Sequence, residues 1–68
     1  MKQVSEIPTS GQFVAVWQNP TGGIWSDTFK ISNGEISQYS NEFDDFLPAD
    51  IDTLNSIKEN NASYYVAD

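Results

Sequence analysis

The side chains able to take part in acid–base or ligand chemistry are almost all carboxylates. Ten Asp and Glu stand against Lys2, Lys30 and Lys58, and the 68 residues include no His, Cys or Arg. Without those three types, nucleophile–base pairs, zinc sites and guanidinium clamps on oxyanions or phosphates cannot be assembled, and no serine has a base partner. What remains is an acid pair of the glycosidase kind, which needs two carboxyls about 5 to 9.5 Å apart across a cleft. Asp27 is the acid to watch, yet a domain this small is expected to offer little cleft. The expectation is a protein that is not an enzyme and uses no cofactor.

The run Asn41-Glu42-Phe43-Asp44-Asp45 concentrates oxygen ligands and invites a calcium reading. Its spacing is wrong for the familiar loop, which needs acidic or amide residues at alternate positions, a glycine at the sixth and a glutamate at the twelfth. No metal site is expected. Glu42, Phe43, Asp44, Asp45, Phe46, Asp50 and Asp52 instead suggest carboxylates displayed around two exposed rings. Acids in a connection are often only a solvated surface with a ring anchoring the loop. The functional alternative is a recognition surface, in which carboxylates steer a basic partner and an aromatic anchors it.

Charge points the same way. Residues 1–34 hold Lys2, Lys30, Glu6 and Asp27 and are neutral, so the net charge of −7 comes entirely from residues 35–68. Three scattered lysines cannot neutralise a run of phosphates, which argues against direct nucleic-acid binding and against anionic membranes. The longest apolar run, Phe13 to Trp17, is far short of the roughly 20 residues of a membrane span, and Met1 to Ser10 lacks the apolar core of an export signal. Together with the absence of cysteine, this suggests a soluble, cytoplasmic protein.

Few elements are available to position these groups. Residues 1–11, with Pro8 and Gly11, read as a flexible N-terminal extension that is loosely held unless something docks it. Residues 12–68 read as a single α+β domain. Phe13 to Trp17 is a strand, Asn19-Pro20-Thr21-Gly22-Gly23 a reversal, Ile24 to Ser32 a second strand, and Asn33-Gly34 a type I′ hairpin turn into a third, Glu35 to Ser40. That turn sets a register pairing Ile31 with Ile36 and Phe29 with Gln38. Pairing Trp17 with Trp25 then places Phe13, Ala15, Trp17, Trp25, Phe29, Ile31 and Ile36 on one face, with Asp27 among them. Both tryptophans read as core.

Ile51, Leu54 and Ile57 recur at helical spacing, so a helix over about 49–60, capped by Asp50, should cover that face, and Leu47 would extend its stripe. Residues 62–67 then form a last strand, giving a three-stranded antiparallel meander packed by one helix with a C-terminal fourth strand, βββαβ. On the opposite face Val14, Val16, Ile24 and Tyr39 form a second candidate surface, fit for a partner or a homodimer unless the last strand or the extension shields it.

Taken whole, the chain resembles the small acidic accessory and inhibitor proteins of tailed bacteriophages. The likeness lies in its size, its lack of Cys, His and Arg, and the segment Phe13-Val14-Ala15-Val16-Trp17 through Ile24-Trp25-Ser26-Asp27-Thr28-Phe29-Lys30 before an Asn-Gly turn. It is a similarity of style, without a defining motif, and it transfers no functional residue. It implies a non-enzymatic protein-binding inhibitor of a host protein with a basic surface: a defence nuclease, another nucleic-acid-binding enzyme or a transcription factor. Such a protein can act as a DNA mimic, since carboxylates two apart on a strand lie about 6.6 to 6.8 Å from one another, near the phosphate repeat of one DNA strand. The alternative is a small structural or regulatory subunit of a larger protein assembly.

Overall fold

The computed structural model describes residues 1–68. The class is α+β, but the arrangement is richer than βββαβ: one antiparallel six-stranded sheet and one helix. The strands are β1 (Lys2–Val4), β2 (Gly11–Gln18), β3 (Ile24–Ser32), β4 (Glu35–Ser40), β5 (Asp45–Pro48) and β6 (Ser63–Val66), with α1 (Ile51–Glu59) between β5 and β6. Their spatial order is β1-β6-β2-β3-β4-β5.

The expected meander is its centre. Asn33 and Gly34 both take positive φ (53° and 79°), as the tight β3–β4 turn requires, and Ile31 pairs with Ile36 and Phe29 with Gln38. Across β2 and β3, Trp17 pairs with Trp25 and Phe13 with Phe29. The β2–β3 reversal is tied by Asn19, whose Oδ1 accepts from the Thr21 amide (3.0 Å), the Thr21 hydroxyl (2.7 Å) and the Gly23 amide (3.0 Å).

Three additions enlarge the sheet. β6 lies beside β2, with Val14 opposite Tyr65 and Ala15 opposite Tyr64. β1 then docks on β6, with Gln3 opposite Tyr65, so residues from the N-terminal extension join the same sheet as the rest of the chain. Part of the acidic segment forms β5 against β4, with Tyr39 opposite Phe46.

The core lies on one face only. Its buried residues are Phe13, Ala15, Trp17, Phe29, Ile31 and Ile57, with Leu54, Ile36, Tyr64 and Val66 packed around them. Phe13 and Phe29 stack at 5.3 Å between ring centroids, and Tyr64 meets Phe13 edge-on at 6.1 Å. Each such pair adds about 0.5 to 1.5 kcal/mol beyond its buried area. α1 supplies Ile57, the one fully covered side chain of the expected helical stripe; Ile51 stays exposed, and Leu47 belongs to β5. Trp25 is 57% exposed, contrary to its expected place in the core. Its register partner Trp17 is buried at 5%, so at this level the cover reaches β2 and stops short of β3.

Candidate functional site

Strand alternation aims Val14, Val16, Ser26, Thr28, Lys30, Tyr39, Phe46 and Tyr65 at the side of the sheet away from α1. No helix packs on that side. Two shallow hollows lie on it: one, about 120 Å³, is lined by Tyr65, Val14, Thr28 and Gln12 among others, and the second, about 330 Å³, by Gln12, Thr28, Tyr39 and Phe46. Gln12 and Thr28 line both, so the two are neighbours between Tyr65 and Phe46.

The acidic turn borders the Phe46 end. Asn41, Glu42, Phe43 and Asp44 connect β4 to β5, with Asp44 at φ 51°, a left-handed conformation that Asp tolerates better than most side chains. Phe43 is 65% exposed. The Tyr39 hydroxyl donates to the Asp44 carboxylate, and its ring meets Phe46 edge-on at 5.5 Å. The Lys30 ammonium sits 4.7 Å from the centre of the Phe46 ring, within cation–π range. Asp44 as acceptor, with smaller contributions from desolvation and the charge on Asp45, raises the Tyr39 phenol above its ordinary pKa of 10.0.

The two surfaces expected from the sequence are therefore partly one and partly rearranged. Tyr39, assigned to the second surface, holds Asp44 and Phe46, assigned to the first. Val14 and Val16 continue that surface across β2, and Ile24, 77% exposed, lies at its β2–β3 end. Phe46 is no free ring in a loop; it is a half-buried strand residue between Tyr39 and Lys30. Asp45 turns to its own strand, accepting the Phe46 amide at 2.8 Å.

Asp50 and Asp52 separate from the others. Asp50 caps α1, its side chain accepting the Asp52 amide at 3.1 Å, and Asp52 occupies the first turn. Both roles follow from the free amides and positive dipole end of a helix start. Asp52 borders a different cleft, of about 290 Å³, on the helix-covered side, together with Trp17, Asn19, Trp25, Asp27, Gln38, Thr53 and Ser56. Two carboxylates and two tryptophans thus line one open hollow. Burial raises the Asp27 carboxyl above its usual 3.8, partly opposed by hydrogen bonds from Gln38 and from the Thr28 backbone.

Sequence reasoning missed Tyr65 and Lys30 as members of the open face. Lys30 was reachable, since it alternates with Phe29 and Ile31 on β3. Tyr65 was not, because nothing local states where β6 pairs. No three His, Cys, Asp or Glu side chains converge as a metal-holding group, and no helix is long and apolar enough to cross a membrane. No protein-family model, curated protein or solved structure matches the chain.

Proposed function

We propose that the chain is a non-enzymatic, protein-binding inhibitor of the kind tailed phages encode. In this reading it acts in the host cytoplasm on a basic surface of a host defence nuclease, another nucleic-acid-binding enzyme or a transcription factor. The observation that carries the reading is the Tyr39 junction, which makes the acidic turn and the uncovered face of the sheet one surface. Glu42, Asp44 and Asp45 supply long-range attraction for a basic partner, Phe43 is an exposed anchor, and Tyr65, Val14 and Tyr39 offer amphipathic area for close contact. A second copy fits less well, because each chain brings a net charge of −7 to the encounter.

DNA mimicry belongs to this reading only through the turn. No strand carries carboxylates two residues apart; Asp27, Glu35 and Asp45 are single acids on β3, β4 and β5. The alternative, a small structural or regulatory subunit, is favoured by one feature: β1 and β5 are free edges of the sheet, able to pair with strands of an assembly.

The test is capture from a bacterial lysate with wild-type protein and an Asp44→Asn/Asp45→Asn variant as parallel baits, followed by association kinetics on the enriched protein. The expected result is a partner that associates on the order of tenfold more slowly with the variant at low salt, the difference shrinking as salt rises. Equal rates for the two baits, or no protein enriched by the wild type, would count against the reading.

A further inference from the structure

The cleft on the helix-covered side combines groups that the open face does not use. Its lining includes two carboxylates, Asp27 and Asp52, and no cationic side chain. The chain's single ion pair, between the N-terminal ammonium and Asp68, involves neither of them. Beside them stands the exposed indole of Trp25. Gly23 allows the reversal to close down on that indole: a Cβ at Gly23 would lie 3.1 Å from Asn19 Nδ2 and 3.4 Å from Trp25 Nε1. The carboxylate of Asp27 is held in place rather than left to swing. Gln38 Nε2 donates to its Oδ2 at 2.8 Å, while Gln38 Oε1 accepts the Asp50 amide at 3.4 Å, which ties the acid to the start of α1.

We propose that this cleft binds a primary alkylammonium group, with the alkyl stem against the Trp25 indole and the ammonium on the carboxylates of Asp27 and Asp52. A lysine side chain of a partner and a free polyamine share this chemistry. The chemical class follows by elimination on charge and donors. An anion is repelled by both acids and by the chain's own field. A neutral polyol could stack on the indole but would leave the Asp27 carboxylate, partly withdrawn from water, without a counter-charge. An alkylammonium supplies that counter-charge, offers three donors to the carboxylates of Asp27 and Asp52 and the hydroxyls of Thr53 and Ser56, and has an apolar stem to lay against the indole. Size agrees, because about 290 Å³ sits at the lower end of small-ligand sites and suits one extended side chain. Burial already disfavours the charged form of Asp27, a penalty that a bound cation offsets. The proposal does not rest on the open-face reading, since the two sites lie on opposite sides of the sheet.

The test is titration of the isotope-labelled protein with 1,5-diaminopentane and with Nα-acetyl-lysine methylamide, reading the indole N–H resonances of Trp17 and Trp25. A saturable shift of Trp25 is expected with either amine. Tighter binding of the diamine identifies a polyamine as the source, and tighter binding of the lysine amide identifies a side chain. Affinity should fall about tenfold or more in Asp27→Asn/Asp52→Asn, and stay within about twofold in the charge-matched Glu35→Gln/Glu59→Gln. If the first double variant loses its native backbone spectrum, the single variants replace it, each expected to bind more weakly than wild type. The proposal is overturned by any of three results: no saturable shift with either amine, preferential response to a neutral methyl glucoside, or undiminished affinity in a natively folded Asp27 or Asp52 variant.

Discussion

Phe13, Ala15 and Trp17 alternate along β2 with Val14 and Val16, and the two interleaved sets end in different environments. The first set is buried beneath α1 with Phe29, Ile31 and Ile57; the second remains half-buried on a side that no helix covers. The strand backbone and its β propensity serve both equally, so what separates them is the cover. Composition follows from it. The covered side takes Phe, Ile and Trp, while the open side mixes Val with Tyr, Thr, Ser and Lys, side chains that combine apolar area with a polar tip. A face of the second kind tolerates water and still offers contact to a partner.

The sharpest way to break this comparison is to make one aromatic deletion on each side. Phe29→Ala removes a fully buried ring from a stacked pair and should destabilise by about 3 to 5 kcal/mol. A domain of this size has roughly 3 to 10 kcal/mol in all, so the loss takes from about a third of the stability to the whole of it. Tyr65→Thr keeps a β-favouring residue on the open side and should shift stability by less than about 1 kcal/mol. Urea denaturation followed by tryptophan fluorescence measures both. Equal losses would mean that the open side is covered in solution, and the asymmetry on which the proposed function rests would be gone.

The centre of this asymmetry was legible in the sequence, and its borders were not. The β-forming run at residues 13–17, the Asn33-Gly34 turn and a Trp17–Trp25 pairing are enough for the meander and for most of its buried face, Trp25 excepted, because they are local signals. The 51, 54, 57 spacing located the helix and Asp50 its cap. β1 and β5, at three and four residues, are too short to show a period, and the insertion of β6 between β1 and β2 is a long-range pairing with no local trace. The acidic segment divides in a way the sequence does not display, for a related reason. Eleven residues that look like one charged stretch are divided among a turn, a strand and a helix start, and only backbone geometry separates Asp44 from Asp52.

That division yields the next contrast, of intermediate size. Asp50→Ala leaves the Asp52 amide without its side-chain acceptor and should destabilise by about 1 kcal/mol, visible as a lower urea midpoint and reduced helical signal. Asp44→Asn should leave the midpoint unchanged, since the amide suits a positive φ and retains an acceptor oxygen for Tyr39. If Asp44→Asn proved as damaging as Asp50→Ala, the turn acids would be structural, and their assignment to recognition would fail.

The smallest expected effect has the opposite sign and concerns the one acid on the covered side of β3. Asp27 pairs with Ala15 and lines the cleft beneath α1, where burial raises its carboxyl above the ordinary 3.8. A raised folded-state value means that the folded protein binds the proton more tightly than the unfolded chain does. Above that value the ionised carboxylate destabilises the fold; as pH falls through it the folded state protonates first and stability rises, until below 3.8 both states are protonated. Asp27→Asn keeps an oxygen to accept from Gln38 and removes the charge. Because solvent still reaches this group, the gain of the variant at neutral pH should be small, read as a slightly higher melting temperature than wild type. The gap to wild type should close as pH falls toward 3.8, and the difference between the two melting series isolates Asp27, because every other carboxylate is common to both. A gap that widened on acidification would mean that the carboxylate stabilises the fold when ionised, making it a structural partner of Gln38. A gap that closes leaves the acid at a net disadvantage to stability, as expected of a group retained to bind a cation.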